Sequence, residues 1–238
     1  MVSTTFIELV NHDLLTGVAR YRAAMARPRT VSDAAILTAA AHAVAQVGPA
    51  NVTLAQIGDR AGLTAAALVR RFGSKERLLL ALAREAAEAV PARLAAARAA
   101  EYPLAALIDA LVAMAAGVRS ATAFTHHLAF LLMDLSVPEF QQVTRKYAAG
   151  VEAAIDEVLQ AATAAGELEP ERVDHETAEA IHAAYNGALI TWGMAGHDGS
   201  PAEHVRRHLL RATRPYSTRR SKGGESPERH PRSDCGRS

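Results

Sequence analysis

The sequence contains a single cysteine, Cys235, in 238 residues. One cysteine cannot build a disulfide framework or a thiolate metal cluster, so neither is expected. Its isolation fits a reducing compartment, and we expect a cytoplasmic protein. The N-terminus has no basic stretch ahead of an apolar run, so the sequence predicts no secretory signal.

Aromatic residues and strand-like alternation are also scarce. Aromatic residues make up 5% of the chain, whereas hydrophobic residues make up 50% and alanine alone occupies 53 positions. Alanine has the highest intrinsic helix propensity, and there is little Val/Ile/Thr alternation to argue for strands. The composition therefore predicts an all-α fold.

Charged side chains are missing from two long stretches, 120–133 and 180–197. The second stretch is long enough for a membrane span, but it contains His182, Tyr185, Asn186 and several Gly or Thr residues, and a span is more uniformly apolar. We interpret it as a helix buried on more than one face, and we expect no membrane partner.

The charges that are present are unevenly distributed. Residues 31–75 carry four Lys/Arg and two Asp/Glu, while residues 76–216 carry twelve and eighteen, so a basic N-terminal part precedes an acidic body. The formal net charge of +1 hides this asymmetry. A basic segment of this kind indicates a polyanionic partner for the N-terminal part.

Apolar periodicity and helix-start signals predict nine helices. Gly48-Pro49 is expected to end the first, Pro91 is a possible bend in the fourth, and Thr53, Ser74 and Asp174 are expected N-caps. The segments 136–139 and 200–203 have the spacing of capping boxes. The predicted spans are about 32–47, 54–61, 64–71, 75–99, 103–118, 121–134, 137–165, 175–196 and 201–213.

The second and third predicted helices are joined by a short turn that contains Gly62, a residue suited to left-handed backbone. Two short helices with such a turn, tied together by Leu54, Ile57, Leu63 and Leu68, are typical of a helix-turn-helix, whose second helix enters the DNA major groove. On the turn alone, an ordinary helical hairpin in an alanine-rich protein is an equal alternative.

The residues around this turn resemble the TetR family of bacterial transcriptional regulators. The similarity covers 53–64 and 68–79, with Ile36-Leu37-x-Ala39-Ala40, Ile57, Ala61-Gly62-Leu63-Thr64 and Phe72-x-Ser74-Lys75-Glu76 in the family's order and spacing. A weaker similarity continues through 139–140, 166–168 and 185–192. The resemblance implies a nine-helix, two-domain regulator, most often a repressor that binds a palindromic operator as a homodimer and is released by a small molecule.

This resemblance implies a domain organisation. Residues 31–76 form the helix-turn-helix domain, and residues 77–216 form the regulatory and dimerisation domain. Residues 1–30 are an N-terminal extension with a basic arm, although 1–24 fit poorly and Met25 is an alternative start. Residues 217–238 are rich in Arg, Ser, Gly and Pro and are expected to be a disordered basic tail.

The resemblance also implies roles at the DNA. Thr53, Thr64 and Lys75 are expected at phosphates, and Arg70 is the best candidate for reading a guanine, with a phosphate contact as the alternative. Val69 stands where the family usually has an aromatic residue, which puts one backbone contact in doubt. The residues expected at the DNA are Arg27, Arg29, Thr53, Gln56, Thr64, Ala65, Ala66, Val69, Arg70, Arg71 and Lys75.

For the body, the resemblance implies an effector pocket inside the fourth to seventh helices and a dimer interface on the last two. A small, mostly apolar effector is expected, and plain core packing is the alternative for each wall residue. The wall candidates are Met114, Phe124, His127, Leu128, Leu131, Tyr147, Tyr185, Asn186 and Trp192.

Two other functions stay open. One is a helical DNA-binding dimer without an effector, and the other is a helical enzyme using Asp109, Asp134, His127 or Tyr147. The sequence contains no nucleophile–base arrangement, phosphate loop or metal-ligand spacing, so we expect no catalytic residues, metal or cofactor.

Overall fold

A computed structural model describes residues 31–118, 120, 122, 124–126, 128–129, 137–195 and 199–218, without the side chain of His175. Arg27 and Arg29 of the predicted basic arm lie outside this part of the chain, as do His127 and Leu131 of the predicted pocket wall. The predicted extension and most of the predicted tail are outside it as well.

The described residues form an all-α protein, as predicted. Within them we number eight α-helices, and their bounds are α1 Asp33–Asn51, α2 Leu54–Ala61, α3 Ala65–Phe72, α4 Lys75–Ala95, α5 Pro103–Ala115, α6 Pro138–Ala164, α7 His175–Met194 and α8 Pro201–Thr213. Short 3₁₀ turns follow α4 at Ala96–Ala99 and precede α7 at Pro170–Arg172. Residues 122, 124–126 and 128–129 are helical and belong to the predicted sixth helix, 121–134, of which the remainder is not described.

The head, α1–α3, closes around side chains from all three helices. Ile36, Val44, Ile57 and Leu68 are fully buried there. The backbone of α1 breaks at Gly48, which has φ 80° and ψ 161°, so the prediction that Gly48-Pro49 ends the regular helix is confirmed. This break changes the direction of the chain shortly before α2 begins.

The body, α4–α8, is built on α4 and α6 lying side by side. Glu88 of α4 pairs with Lys146 of α6 at 3.1 Å, and Arg98, in the turn that follows α4, pairs with Glu157 of α6 at 2.6 Å. Because later residues of one segment pair with later residues of the other, the two helices run parallel. A Cβ added at Gly150 would lie 2.9 Å from Cγ of Pro91, which shows how closely the helices approach. The helix continues through Pro91 to Ala95.

Helix starts follow the sequence signals in part. Asp174 caps α7, since its Oδ1 accepts from the N–H groups of Glu176 and Thr177. The predicted capping box at Ser200 is wrong, because Ser200 is the N-cap of α8 but makes no side-chain capping bond. Helix α6 has Val137 as its N-cap, and Ser136 of the other predicted capping box lies outside the described residues. Both helices begin with Pro, whose fixed φ starts a helix without help from a side chain.

The C-terminal end of the described chain packs on the α6–α7 connection. Thr218 donates its N–H to the carbonyl of Glu167 at 3.0 Å, and Glu169 donates to the carbonyl of Tyr216 at 2.8 Å. Ser217 and Thr218, assigned to the tail from the sequence, therefore bond to the body. Among the helices that the structure describes, none has the length and apolarity needed to cross a membrane.

Candidate DNA interface and effector site

The turn between α2 and α3 depends on two glycines. Gly62 adopts left-handed backbone, φ 69° and ψ 32°, and its N–H donates to the carbonyl of Gly58. The N–H of Leu63 donates to the same carbonyl at 2.8 Å, and a Cβ added at Gly58 would lie 2.4 Å from the carbonyl oxygen of Leu63. Sequence reasoning found Gly62 by its turn and missed Gly58, whose signal is a glycine inside a helix four residues before the turn glycine.

The N-terminus of α2 is organised by Thr53 and Gln56. The Thr53 hydroxyl accepts from the Gln56 N–H at 3.2 Å, and the Gln56 side-chain carbonyl accepts from the Thr53 N–H at 2.9 Å. This reciprocal capping box satisfies backbone N–H groups at the N-terminus of α2 and fixes both side chains there. Because the Gln56 carbonyl oxygen is occupied locally, its NH₂ group is the part of the side chain directed to other partners.

Helix α3 presents a polar and small-residue face to solvent. Thr64 caps the helix by accepting from the Ala67 N–H at 3.1 Å, and Leu68 anchors it in the core. Ala66, Val69 and Arg70 are exposed, with Val69 46% accessible. Positions three and four apart share one face of a helix, so these side chains form one surface that extends from the first turn of α3 to its last turn.

The two adjacent arginines of α3 have different surroundings. The Arg71 guanidinium pairs with the carboxylate of Asp33 and donates to the carbonyl of Val31, both at the start of α1. Arg70 lies on the exposed face of the helix. The structure therefore uses Arg71 to tie α3 to α1.

Lys75 begins α4 and reaches back to the end of α1. Its Nζ donates to the carbonyls of Pro49 at 3.3 Å and Ala50 at 3.2 Å. Next to it, a backbone hydrogen bond and then the Ser74 hydroxyl hold the pKa of the Glu76 carboxyl below its usual value. Two of the three ammonium donors of Lys75 are thus used inside the head, which leaves one for another partner.

The end of α1 is also contacted by the body. Pro49 has no N–H, so the carbonyl of Ala45, four residues earlier, lacks its normal helical donor. Nδ1 of His126 lies 2.9 Å from that carbonyl and must carry the proton, since a carbonyl only accepts. A Cβ added at Gly48 would lie 3.0 Å from Cδ2 of His126, so glycine at that position admits the ring.

Most predicted pocket residues that the structure describes are buried. Phe124 and Trp192 meet edge to face with ring centroids 5.9 Å apart, and the Trp192 indole donates to the carbonyl of Gly199 at 3.1 Å. A Cβ added at Gly193 would lie 2.0 Å from Phe124, so glycine is required beside this pair. Leu128 is half-buried, and the buried set is Met114, Phe124, Tyr147, Tyr185, Asn186 and Trp192.

His182 is a buried polar residue of α7 that the predicted pocket wall omits. Its ring lies 6.4 Å from that of Tyr147, and its Nδ1 lies 3.4 Å from Oε1 of Glu152 on α6. Burial lowers the pKa of His182, against an opposing hydrogen bond and charge from Glu152. Its position three and four residues before Tyr185 and Asn186 puts all three on one helix face, which is a signal that the sequence contains.

Helix α7 has a second face that a single chain leaves exposed. It is made of small residues and ends in Met194, which is 81% accessible, while Tyr185 and Trp192 face the core. The exposed positions are Ala180, Ala183, Gly187, Thr191 and Met194. The sequence-based expectation of burial on more than one face thus requires another molecule against this surface.

Helix α8 adds polar residues beside that surface. The rings of His204 and His208 stack with centroids 4.5 Å apart, and His204 Nε2 lies 3.1 Å from the hydroxyl of Thr191. Arg206 pairs with Asp109 of α5 at 2.7 Å. Within the described residues, no group of three His, Cys, Asp or Glu side chains is placed to hold a metal ion.

Comparison with known proteins assigns the head. The family model of bacterial regulatory proteins of the tetR family matches residues 36–82, from α1 into α4. The part of the chain that forms the head thus belongs to the TetR family. Its helix-turn-helix is therefore a DNA-binding head of the kind found in bacterial regulatory proteins. Comparison with curated proteins finds no match.

Solved structures extend the similarity in fold over the body. SmeT, the repressor of the Stenotrophomonas maltophilia multidrug efflux pump SmeDEF, is 19% identical, with TM-score 0.58 over 80% of this chain and 92% of SmeT. A SmeT–triclosan complex gives TM-score 0.63 at 18% identity over 79% and 92%. NalD, the secondary repressor of the Pseudomonas aeruginosa MexAB-OprM multidrug efflux pump, gives 0.53 at 19% over 79% and 97%. At these identities the likeness shows the fold.

Proposed function

We propose that this TetR-family regulator is a ligand-responsive repressor, which binds a palindromic operator as a homodimer and releases it when a small, mostly apolar molecule binds the body. The observation that carries the proposal is the solvent-facing surface of α3, along which Ala66, Val69 and Arg70 are exposed. A short exposed helix held by a glycine turn fits the major groove of DNA.

Within this interface the residues divide by chemistry. Arg70 reads a guanine edge with its two parallel donors, and Ala65 and Ala66 meet thymine methyl groups. Val69 adds apolar contact but no hydrogen bond to the backbone. The pair between Arg71 and Asp33 favours Arg70 as the base-reading arginine.

Phosphate contacts surround this reading surface. Thr64 and the N–H groups at the start of α3 face an anion favourably because of the helix dipole. Gln56 contributes its outward NH₂ group, Thr53 sits at the N-terminus of α2, and Lys75 contributes its remaining N–H. In the basic arm, Arg27 and Arg29 are proposed to reach phosphate or the minor groove.

The exposed small-residue face of α7 supports a homodimer. Ala183 and Gly187 let another helix approach closely, and Met194 is too apolar to favour exposure to water. A second copy placing its own α7 and α8 there buries the face and sets two heads for two half-sites.

Effector response rests on the body and its link to the head. SmeT has been solved with triclosan, a small and largely apolar molecule, and this chain shares that fold. Phe124, a candidate wall residue that packs on Trp192, is two residues before His126 in the chain, and His126 bonds to the head at Ala45. A molecule that moves this wall shifts the heads, and DNA and effector then weaken each other's binding equally.

The alternatives receive less support. A DNA-binding dimer without an effector shares the α3 surface and differs only in its body. For the enzyme alternative, Asp109 is used in a surface ion pair with Arg206, and Tyr147 is fully buried. These surroundings do not assemble a nucleophile with a base.

Footprinting on the DNA that flanks the chain's own gene tests the proposal. The purified protein is expected to protect a short palindrome, with affinity that falls steeply with salt because phosphate contacts release counterions. Arg70→Ala serves as the matched variant, since it keeps the fold and removes the base-reading group. Protection of no fragment above bulk DNA at moderate salt contradicts the repressor function.

A further inference from the structure

His182 is buried inside the body with one of its ring nitrogens occupied. The side chain is 4% exposed, and Nδ1 faces Oε1 of Glu152 at 3.4 Å. A carboxylate accepts hydrogen bonds and does not donate them, so the proton of the neutral ring sits on Nδ1. Nε2 is therefore left with a lone pair and acts as an acceptor.

That acceptor is without a partner among the described residues. Nε2 of His182 is fully buried and makes no hydrogen bond in that part of the chain. Buried polar atoms in native proteins are nearly always paired with protein, water or a ligand, because an unpaired one forfeits its hydration. An orphaned acceptor inside a regulatory body thus indicates a missing donor.

The surroundings select the kind of donor. The Tyr147 ring lies beside the imidazole, and buried Tyr185 and Asn186 follow on the same face of α7. Among the described residues, the charged groups that act on the ring are Glu152 and Glu179, and both are acidic side chains. Burial also keeps the ring neutral by lowering its pKa. An anionic ligand meets repulsion and an acceptor here, whereas a hydroxyl or ammonium group finds a partner.

We propose that Nε2 of His182 is the polar anchor of the effector site, and that the effector is an apolar molecule carrying a hydrogen-bond donor, either a neutral hydroxyl or a protonated amine. This rests on the proposed function and narrows its ligand class. Glu152 is a positioning residue, which fixes the acceptor by holding the proton on Nδ1.

Four probes with one biphenyl scaffold test the proposal by calorimetry on the full-length protein. 4-Phenylphenol is a neutral donor, 4-phenylbenzylamine is a cationic donor, biphenyl has no polar group, and biphenyl-4-carboxylate is an anionic acceptor. At least one donor probe is expected to bind ten-fold or more tightly than both biphenyl and the carboxylate. The stronger of the two donor probes then tells a hydroxyl effector from an amine effector.

Two variants locate the preference. His182→Leu removes the acceptor, so the donor probe is expected to bind no better than biphenyl. Glu152→Gln offers Nδ1 both an acceptor and a donor, so the ring is no longer held with its proton on Nδ1, and the preference for the donor over the carboxylate is expected to fall. Glu152 is partly exposed, so this second variant tests the idea even where His182→Leu fails to fold. Thr213→Val, at the end of α8, is the control: it also replaces a buried polar side chain with an apolar one, but outside the proposed site.

The outcomes separate the two proposals. Equal affinities for the donor probes and biphenyl, tighter binding of the carboxylate, or no binding by any probe overturns the role of His182. Donor binding that depends on His182 but leaves the operator footprint unchanged supports the site and contradicts effector-controlled release. A release that is unaffected by Glu152→Gln and His182→Leu leaves the repressor function standing and overturns the anchor.

Discussion

The head and the body reach a defined shape by different means. In the head, the structure depends on individual groups. Gly58 leaves room for the Leu63 carbonyl, and the hydroxyl of Thr53 and the ammonium of Lys75 each make specific hydrogen bonds. In the body, α4 and α6 meet along their length through aliphatic side chains, and the ion pairs between them are exposed and contribute little. Substitutions at special positions should therefore damage the head sharply and the body gradually.

Gly58→Ala is expected to have the largest effect on this contrast. The new methyl group meets the Leu63 carbonyl oxygen, which is backbone and cannot swing away, so the head should lose about 2–4 kcal/mol of stability. Operator binding should disappear while helicity and oligomeric state, measured by circular dichroism and sedimentation, stay close to those of the parent protein. Ala55→Ser, on the exposed side of the same helix, is the control. A Gly58→Ala protein that still binds the operator shows that the turn rearranges freely.

His126→Leu breaks the contact that crosses from the body to the head. It leaves the Ala45 carbonyl without a donor, which should cost about 1–3 kcal/mol in urea denaturation. His42→Leu, a half-buried histidine of the same helix α1, is the comparison. Equal, small changes in both variants mean that water replaces the His126 donor and that the link carries no stability.

Within the head, we expect different effects from removing three basic side chains, those of Arg70, Arg71 and Lys75. Arg70→Ala should cost about 1–3 kcal/mol at one base pair, whereas Lys75→Ala should weaken all duplexes and lower the salt slope by about one unit. Arg71→Ala should instead lower head stability slightly, by about 0–1 kcal/mol, because it removes an exposed ion pair with Asp33. Binding titrations on cognate and scrambled duplexes measure all three. Equal losses for Arg70→Ala on both duplexes assign it to a phosphate.

The smallest expected effect concerns pH and the body. Burial lowers the pKa of His182 in the folded protein, so between that value and the ordinary pKa of about 6.5 the unfolded chain binds more protons than the folded one. Stability contributed by the neutral ring is therefore complete above pH about 6.5 and falls as the pH is lowered. Thermal melts from pH 8 to pH 5.5 should show a shallower decline for His182→Leu than for the parent protein. His204, whose pKa is also lowered by burial, contributes in the same direction, and His204→Gln separates the two.

The same contrast governs what the sequence reveals. Some roles depend only on near neighbours in the sequence, and the sequence predicts them. The helices capped by Thr53, Ser74 and Asp174 begin as predicted, and the turn at Gly62 forms as predicted. The capping box at Ser200 is not formed, and Pro201 at the first helical position favours a helix start without it. Spacing alone does not tell which of two local signals prevails.

Long-range contacts were beyond the reach of sequence reasoning. That Arg71 turns to Asp33 while Arg70 stays exposed depends on where α1 begins relative to α3. His182 was missed for a related reason: its partner Glu152 lies thirty positions earlier, and only the packing of α6 against α7 brings them together. The family match identifies the head as DNA-binding, whereas the roles of its single residues and the effector stay predictions.

Pro49 makes one hydrogen bond of the head depend on a segment that is synthesised later. Ala45 and its donor His126 are 81 residues apart. At synthesis rates of about 5–20 residues per second, about 4–16 s pass between their appearance at the ribosome. During that interval a newly made head has all of its own helices and an open carbonyl at the end of the first one. Its last hydrogen bond is supplied by a segment that has yet to be translated.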